Sequence, residues 1–353
     1  MSDMNPVFID EDGTNGIEGT SLEHANLSRI FPSVNAQHKR FLQPSNARRS
    51  FFLKADTAIK LIIAGVHNVC AVRVDTVFDA EAILDLDVAL LPGRDYYVYA
   101  CLDDADPRQP GFSLKVSLNS TFPDGFDEQT SRKIGGFHTL CVDAGTIIGH
   151  PLSGFRAGDI LPASIWCLTH RPWPASPEGM VYIDSVDCWV DIYMQSGTRS
   201  LTKSVFGATV IVSRSWDDHN EDMFLVGKAL LSDAEFSAAM EGSNQRTAIA
   251  GAANPVTTGG KLDSVSRRMI SDYGVEDGCG TWWQWIDHPS ANGGSTWGAD
   301  SGGKGALHGS SFALLAGGGW NNAAHCGSRC RGAHNSRTTA ATSGGGRGRA
   351  RSL

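Results

Sequence analysis

The residues best suited to chemistry lie near the C-terminus. Cys326 and Cys330 are four apart, and His325 stands beside the first. A cationic imidazole next to a thiol lowers its pKa, so this spacing suits a reactive or redox pair. It suits a purely local structural role equally well. None of the eight cysteines forms a CxxC pair, which argues against a zinc knuckle. Four tryptophans, Trp282, Trp283, Trp285 and Trp297, could stack on sugars, but such a cluster more often buries its large area in a core. The acidic runs Asp103–Asp106 and Asp217–Asp218 lack the DxDxDG spacing of a calcium loop and read as surface charge. No GxSxG, HExxH, Walker or dinucleotide fingerprint is present, so nothing nominates a nucleophile with its base. The chain therefore reads as a binding protein and not an enzyme, with its contact surface in the tail from Gly317 to Leu353.

That tail is rich in glycine and arginine, and Trp320 is its one large apolar residue before Leu353. Composition alone would allow a disordered, low-complexity tail. Against this, Gly327–Arg331 and Gly346–Arg349 are compatible with strands, and Trp320 follows on the apolar run Phe312–Ala316. The basic residues have no interleaved aromatic to stack a base, and the chain carries a net charge of −8 with pI near 5.7. Both observations argue against nucleic acid as a partner.

Elements must hold that tail in place. At roughly 150 residues per domain, 353 residues suggest two or three domains. With 41% hydrophobic and 19% charged residues, the chain can bury real cores. The 40 glycines favour a turn-rich, β-dominated architecture. The start of the chain is acidic without an apolar stretch, unlike a signal peptide. The apolar run near Ile59–Gly65 is too short to span a bilayer, so no membrane insertion is expected.

Residues 1–50 are polar, with basic stretches at His38–Arg40 and Arg48–Arg49, and read as an attachment or trimerisation segment. Short β-branched and aromatic runs at Ile59–Ile63, Val69–Val77 and Tyr96–Cys101, with alternation over Phe112–Asn119, predict a β-sandwich over 51–162. Further strands are expected within Met180–Met194. Ser232 and Glu235 form a capping box that predicts a helix, with Phe236 and Met240 on one face. A second helix is predicted over Ser264–Asp272, with Gly274 as its C-cap. Gly/Ser-rich loops are expected after the Trp282–Trp285 cluster. The fold class is mainly β with an α+β C-terminal domain over 163–353.

The motifs resemble a known family. Phe52–Asp56, Arg94–Cys101, Ser131–His138, Trp166–Pro172, Gly179–Met180, Trp189–Tyr193, Cys279 with Trp282–Trp285, and Gly317–Asn322 followed by Gly327–Arg329 are similar to the variable, tropism-determining proteins of diversity-generating retroelements. The resemblance covers about residues 50–353. It implies a β-sandwich followed by a C-type-lectin-like domain, the fold shared with formylglycine-generating enzymes. It also implies a homotrimer at a phage or prophage tail fibre, made in the bacterial host's cytoplasm, that recognises a bacterial surface receptor (protein or glycan) alongside other tail-fibre proteins.

The resemblance places the variable region at 317–351. Its varied, receptor-facing sites would be Gly319, Asn321, Asn322, Ala323, His325, Gly332, His334, Asn335, Thr339, Ala341, Ser343 and Gly344. Each of these types arises from an asparagine codon by changing adenines alone. The scaffold between them would be Trp320, Gly327, Ser328, Arg329, Arg347 and Gly348. No cofactor is indicated. The lectin calcium motif Trp-Asn-Asp reads Trp320-Asn321-Asn322 here, which speaks against a sugar-binding calcium site and leaves a structural Ca²⁺ open. The alternatives are an oxidase on the same scaffold using Cys326 and Cys330, and a purely structural virion protein. The facing residues are small and lack the Tyr, Trp and Arg anchors that dominate interfaces, so weak single-site binding is expected.

Overall fold

The aromatic run from Tyr96 to Cys101 is buried along its whole length, because its strand, Asp95–Asp103, lies between Gly111–Ser117 and Ser131–His138 in an antiparallel sheet. In the computed structural model, residues 17–18, 20–22, 34–36, 38–63, 66–86, 88–103, 111–298 and 307–353 are described. Contacts divide the chain into two units. The first is Met1–Leu140 with Gly158–Arg171 and Leu353; the second is Cys141–Ala157 with Pro172–Ser352. The boundaries proposed from sequence at 50/51 and 162/163 follow the chain, whereas this division groups Cys141–Ala157 with the later unit.

In the first unit the five-stranded sheet is completed by Ile17–Glu18 at one edge and Trp166–Cys167 at the other. A four-stranded sheet joins Thr20–Leu22, Val66–Val72, Thr57–Ile63 and Val34–Ala36; a three-stranded sheet joins Leu42–Pro44, Ser50–Leu53 and Thr76–Asp79. All three contribute to one core that includes Leu42, Phe51, Ile59, Val98, Phe112 and Phe137. Along Gly111–Ser117, Phe112, Leu114 and Val116 face this core while Ser113 and Lys115 are half-buried, as the alternation predicts.

The segment 1–50, expected to serve attachment or trimerisation, is joined to the first unit by strand pairing. Its described strands pair with 57–59, 67–69 and 111–112, and Phe41 and Leu42 are core residues. Its arginines are tied to later residues at the surface: Arg40, exposed, donates from Nε to His170 Nε2 at 2.8 Å, and the half-buried Arg49 pairs with Glu81 at 2.7 Å and Asp159 at 3.1 Å. Residues 1–16 and 104–106 lie outside the described residues.

Glycine is required in Ser131–His138 by close approach. A Cβ at Gly136 would sit 2.4 Å from the Tyr96 carbonyl oxygen and under 3 Å from the Trp166 indole; at Gly135 it would sit 2.4 Å from the Trp166 carbonyl oxygen.

In the second unit the last strand, Gly348–Ser352, pairs with Pro172–Trp173, Cys188–Asp191 and Ala229–Leu230, so the C-terminal strand returns to the unit's own start. Met180–Ile183 forms a hairpin with Cys188–Asp191. A second sheet runs in the order Gly327–Ser336, Leu307–Gly317, Trp283–Gly298, Gly344–Gly345, the last pair parallel. The stretch after the tryptophans, expected as loop, is therefore strand as far as Gly298, with register shifts at Trp285/Pro289 and Asn292/Trp297.

Two helices occur among the described residues. Helix α1, Trp216–Leu225, is capped by Ser215 and Asp218; helix α2, Asp233–Ala239, is capped by Ser232 and Glu235 as predicted. The helix predicted over Ser264–Asp272 does not form. Asp263 Oδ1 accepts from the backbone of Val265 and Arg267, Ser266 sits at φ +62°, and the segment makes bridges Leu262–Arg268 and Ile270–Glu276 instead. A left-handed residue and a side chain competing for backbone donors defeat the apolar periodicity. Gly274, at φ +94°, closes a turn onto the Ser271 carbonyl.

Candidate functional site

The Gly/Arg-rich tail is ordered because its backbone is used up on both sides. Trp320 N donates to Thr281 O at 2.9 Å, and Gly280 N to Gly318 O at 3.1 Å. Trp283 and Gln284 pair in parallel with Gly344 and Gly345, and Trp283 N donates to Ser343 O at 3.0 Å. Ladder bonds join Phe312–Gly317 to Gly327–Ser336. Satisfied main-chain donors and acceptors hold such a segment without help from large side chains. Trp320 is half-buried against Met194, Val210 and Trp282.

Beneath this surface lies a buried cation. Arg347 is 1% exposed, and its guanidinium donates to Gln284 Oε1 (2.9 Å), Asp191 O (2.8 Å), Ile192 O (2.6 Å) and Glu276 O (2.7 Å). Burial pulls its pKa down to about 10, against the pull of Asp191 and Asp277. Next to it, the Asp191 carboxylate accepts from Lys228 Nζ at 2.6 Å and from Gly348 N at 2.9 Å. Of the residues expected as scaffold, Arg347, Gly348 and Gly327, the last at φ +150°, are buried and Ser328 is half-buried. Gln245 holds Ser328 through both ends of its amide, at 3.0 and 3.2 Å. Arg329, expected as scaffold, is exposed.

The twelve positions expected to vary divide by environment. Asn321, Ala323, His325 and Thr339 are exposed, and Asn322, Asn335 and Ser343 are half-buried. Gly319, Gly332, Ala341 and Gly344 are buried. His334 lies in the strand Gly327–Ser336, but its side chain is outside the described residues. Asn322 also holds the backbone locally, since its Oδ1 accepts from Gly319 N at 2.8 Å and closes the turn that leads from Trp320 to Ala323–His325. At Gly344 a Cβ would meet Ala341 Cβ at 3.0 Å and Trp285 Nε1 at 3.2 Å, so the space there is nearly full.

Sequence reasoning missed two clamps. Arg331 donates to Asp233 and Ser237 of α2 and to the Ser328 and Cys330 carbonyls, with its guanidinium 5.0 Å from the Phe236 ring centre. Arg337 pairs with Asp217 of α1 at 2.6 Å and lies 4.3 Å from the Trp216 ring centre. The strand Gly327–Ser336 is thereby tied at Arg331 to α2, and the residue following it to the first turn of α1. An arginine in a low-complexity tail carries no local mark of such a distant partner.

The other constellations take structural places. Trp282 and Trp285 are fully buried, Trp283 is half-buried, and the side chain of Trp297 lies outside the described residues. Burial raises the Cys326 thiol to about 11 and the Cys330 thiol above its ordinary value, while Cys326 Sγ donates to Gly319 O at 3.3 Å. A thiol held protonated is a poor nucleophile. Asp217 and Asp218 serve Arg337 and the α1 cap. Among the described residues no group of three or more His, Cys, Asp or Glu side chains gathers as a metal site, and no helix is long and apolar enough to cross a membrane.

With this geometry in view, the comparisons with known proteins agree with the motif resemblance. Residues 43–167 match the family model described as the Mtd second domain. The tail fiber receptor-binding protein of Bordetella phage BPP-1 is 27% identical, over 93% of this chain and 86% of the relative. Among solved structures, the Major Tropism Determinant I1 variant matches with a TM-score of 0.73 at 24% identity, covering 94% of this chain and 88% of that one. The U1 variant matches at 0.74 and 23%, covering 98% and 94%. The chain is thus similar to these proteins over nearly its whole length, and its fold is mainly β with a C-type-lectin-like second unit.

Proposed function

We propose that this protein is a phage or prophage tail-fibre receptor-binding protein that recognises a bacterial surface receptor through the surface built on residues 319–344. The observation that carries this reading is the contrast between framework and surface. The backbone from Gly317 to Gly348 is held by ladder bonds, the buried Arg347 and the clamps of Arg331 and Arg337, while Asn321, Ala323, His325 and Thr339 stand exposed on it. Exposed side chains that contribute little to the fold can be exchanged without unfolding it, and a rigid array binds with little ordering cost.

The finer reading is that these positions are rewritten by a retroelement, that three copies assemble, and that weak single contacts add through avidity. The name of the Bordetella phage relative supports receptor binding from a tail fibre. The protein acts by surface complementarity and without catalysis; the raised thiols of Cys326 and Cys330 argue against the oxidase alternative. The test is adsorption of the labelled protein to a panel of bacteria, compared with a variant carrying Asn321→Asp, Ala323→Asp and Thr339→Asp. Saturable adsorption to some strains, lost in a folded triple variant, supports the proposal. Adsorption unchanged by the triple variant would overturn it.

A further inference from the structure

Two exposed arginines flank the proposed contact loop from outside the set expected to vary. Arg329 lies two residues into the strand Gly327–Ser336 and Arg246 lies on the neighbouring segment Ser243–Thr247; both are exposed. The two segments are locked together: Arg246 N donates to Cys326 O at 2.8 Å, and the Gln245 amide bonds Ser328 Oγ at 3.0 Å and Ser328 N at 3.2 Å. Arg246 itself sits at φ +60°, and the glycine at 327 leaves no Cβ where one would meet Gln245 Oε1 at 2.2 Å. The two backbones are therefore fixed relative to each other.

Neither guanidinium has an ion-pair or hydrogen-bond partner among the described residues. The neighbouring arginines do: Arg331 pairs with Asp233 and Arg337 with Asp217. His325 is exposed on the same loop. In a chain of net charge −8, a pair of unneutralised arginines joined through the edge of the contact loop is a local exception to the overall field.

We infer that Arg246 and Arg329 are fixed anchors of the contact surface that recognise carboxylates on an acidic polypeptide segment of the partner. This deepens the receptor-binding reading and rests on it. The planar guanidinium fork matches a carboxylate in a two-bond geometry that an ammonium cannot reproduce. Among the described residues a glycan surface is disfavoured, because Trp283 and Trp320 are half-buried and Trp320 packs inward against Trp282, so neither presents an open face for stacking. The small exposed residues Ala323, Ala324 and Ala333 leave room for a polypeptide main chain to approach.

The test is binding of the full-length protein to immobilised poly-L-glutamate and, in parallel, to hyaluronate, at low and at raised ionic strength. Expected is salt-sensitive binding to poly-L-glutamate that exceeds binding to hyaluronate and falls at least about tenfold in Arg246→Gln/Arg329→Gln. The pair Arg246→Lys/Arg329→Lys should restore it only in part, and Arg351→Gln, a charge change elsewhere, should leave it intact. No binding to poly-L-glutamate, binding unaffected by the double glutamine variant, or preference for hyaluronate would each overturn the inference. Circular dichroism of each variant establishes that the surface, and not the fold, was changed. Strain adsorption measured beside it separates the two readings: adsorption kept in the double variant sinks the anchors alone, whereas adsorption absent from every strain sinks receptor binding itself.

Discussion

Arg347 Nε donates to Gln284 Oε1 at 2.9 Å, joining the residue that leads into the last strand to the tryptophan-bearing strand beneath the proposed contact surface. Gln284 completes the bridge by donating through Nε2 to Gly278 O at 2.7 Å. Both side chains are 1% exposed. Arg347→Met would take the guanidinium donor from the Gln284 oxygen and from three carbonyls, of which Ile192 O still accepts from Glu276 N. We expect a loss of about 3–5 kcal/mol of stability, measured by chemical denaturation. A loss under about 1 kcal/mol would mean that the buried cation does not organise the unit.

The two clamps should differ. Arg331→Ala removes hydrogen bonds to Asp233, Ser237 and two carbonyls, from a side chain 20% exposed. We expect it to cost about 2 kcal/mol. Arg337 and Asp217 are 43% and 46% exposed, so Arg337→Ala should cost under about 1 kcal/mol. Urea midpoints of the two variants decide; equal losses would refute the ranking.

Tolerance to large side chains should follow burial. Tyrosine at Asn321, Ala323 or Thr339, all exposed, should change stability by no more than about 0.5 kcal/mol. Gly344→Tyr must displace Ala341 or Trp285 and should cost about 1–3 kcal/mol. Thermal melts of these single variants give the comparison, and a Gly344→Tyr melt at the wild-type temperature would contradict it.

Stability should respond to pH through two buried groups with opposite sign. His219 bonds Gln195 Oε1 through Nδ1 at 2.6 Å, and burial, reinforced by Arg214, holds its pKa down to about 4. Unfolded histidine titrates near about 6.5, so the unfolded chain takes the proton first and this contribution is lost as pH falls from about 6.5 to 4. Asp277 is raised to about 7 by burial and by Glu276. Here the folded chain holds a proton that the unfolded chain releases near about pH 4, so stability is lost as pH rises from about 4 to 7. Relative to wild type, Asp277→Asn should gain stability toward neutral pH, and His219→Gln should gain toward acid. Urea midpoints measured across this window check both slopes, and parallel curves for all three proteins would exclude the effect.

The thiols should react slowly. With Cys326 raised to about 11 and Cys279, fully buried, to about 12, little thiolate exists at neutral pH. Alkylation of the native protein should lag far behind that of the denatured protein, and Cys330, half-buried, should lead among the cysteines whose side chains are described. Rapid stoichiometric modification of Cys326 near neutral pH would revive the oxidase reading.

Much of this is present in local sequence. Phe112–Val116 alternates, so its face toward the core can be read directly. Ser232 and Glu235 announce α2 because a capping box is complete within four residues. The box at Ser215 and Asp218 is harder to recognise, since α1 has no strong apolar stripe: Phe224 is 78% exposed. The motifs around Trp320 and Gly327–Arg329 mark where the proposed contact surface lies.

Burial and partnership cannot be read the same way. Ser264–Asp272 has helical periodicity, yet Asp263 and the left-handed Ser266 turn it into bridges. Strand pairing within residues 1–50 cannot be read locally either, because Val34, Thr20 and Ile17 lie in register with Ile59, Val69 and Phe112, up to ninety-five positions away. Four arginines of the tail are alike in sequence, yet one is a buried cation, two are clamps and one, Arg329, is free on the surface among the described residues. The sequence determined the strands, the capped helix and the position of the tail. Only the tertiary structure decided which of its side chains are framework and which are presented, because charge partners and burial depend on residues brought together from over a hundred positions away, such as Asp217 with Arg337.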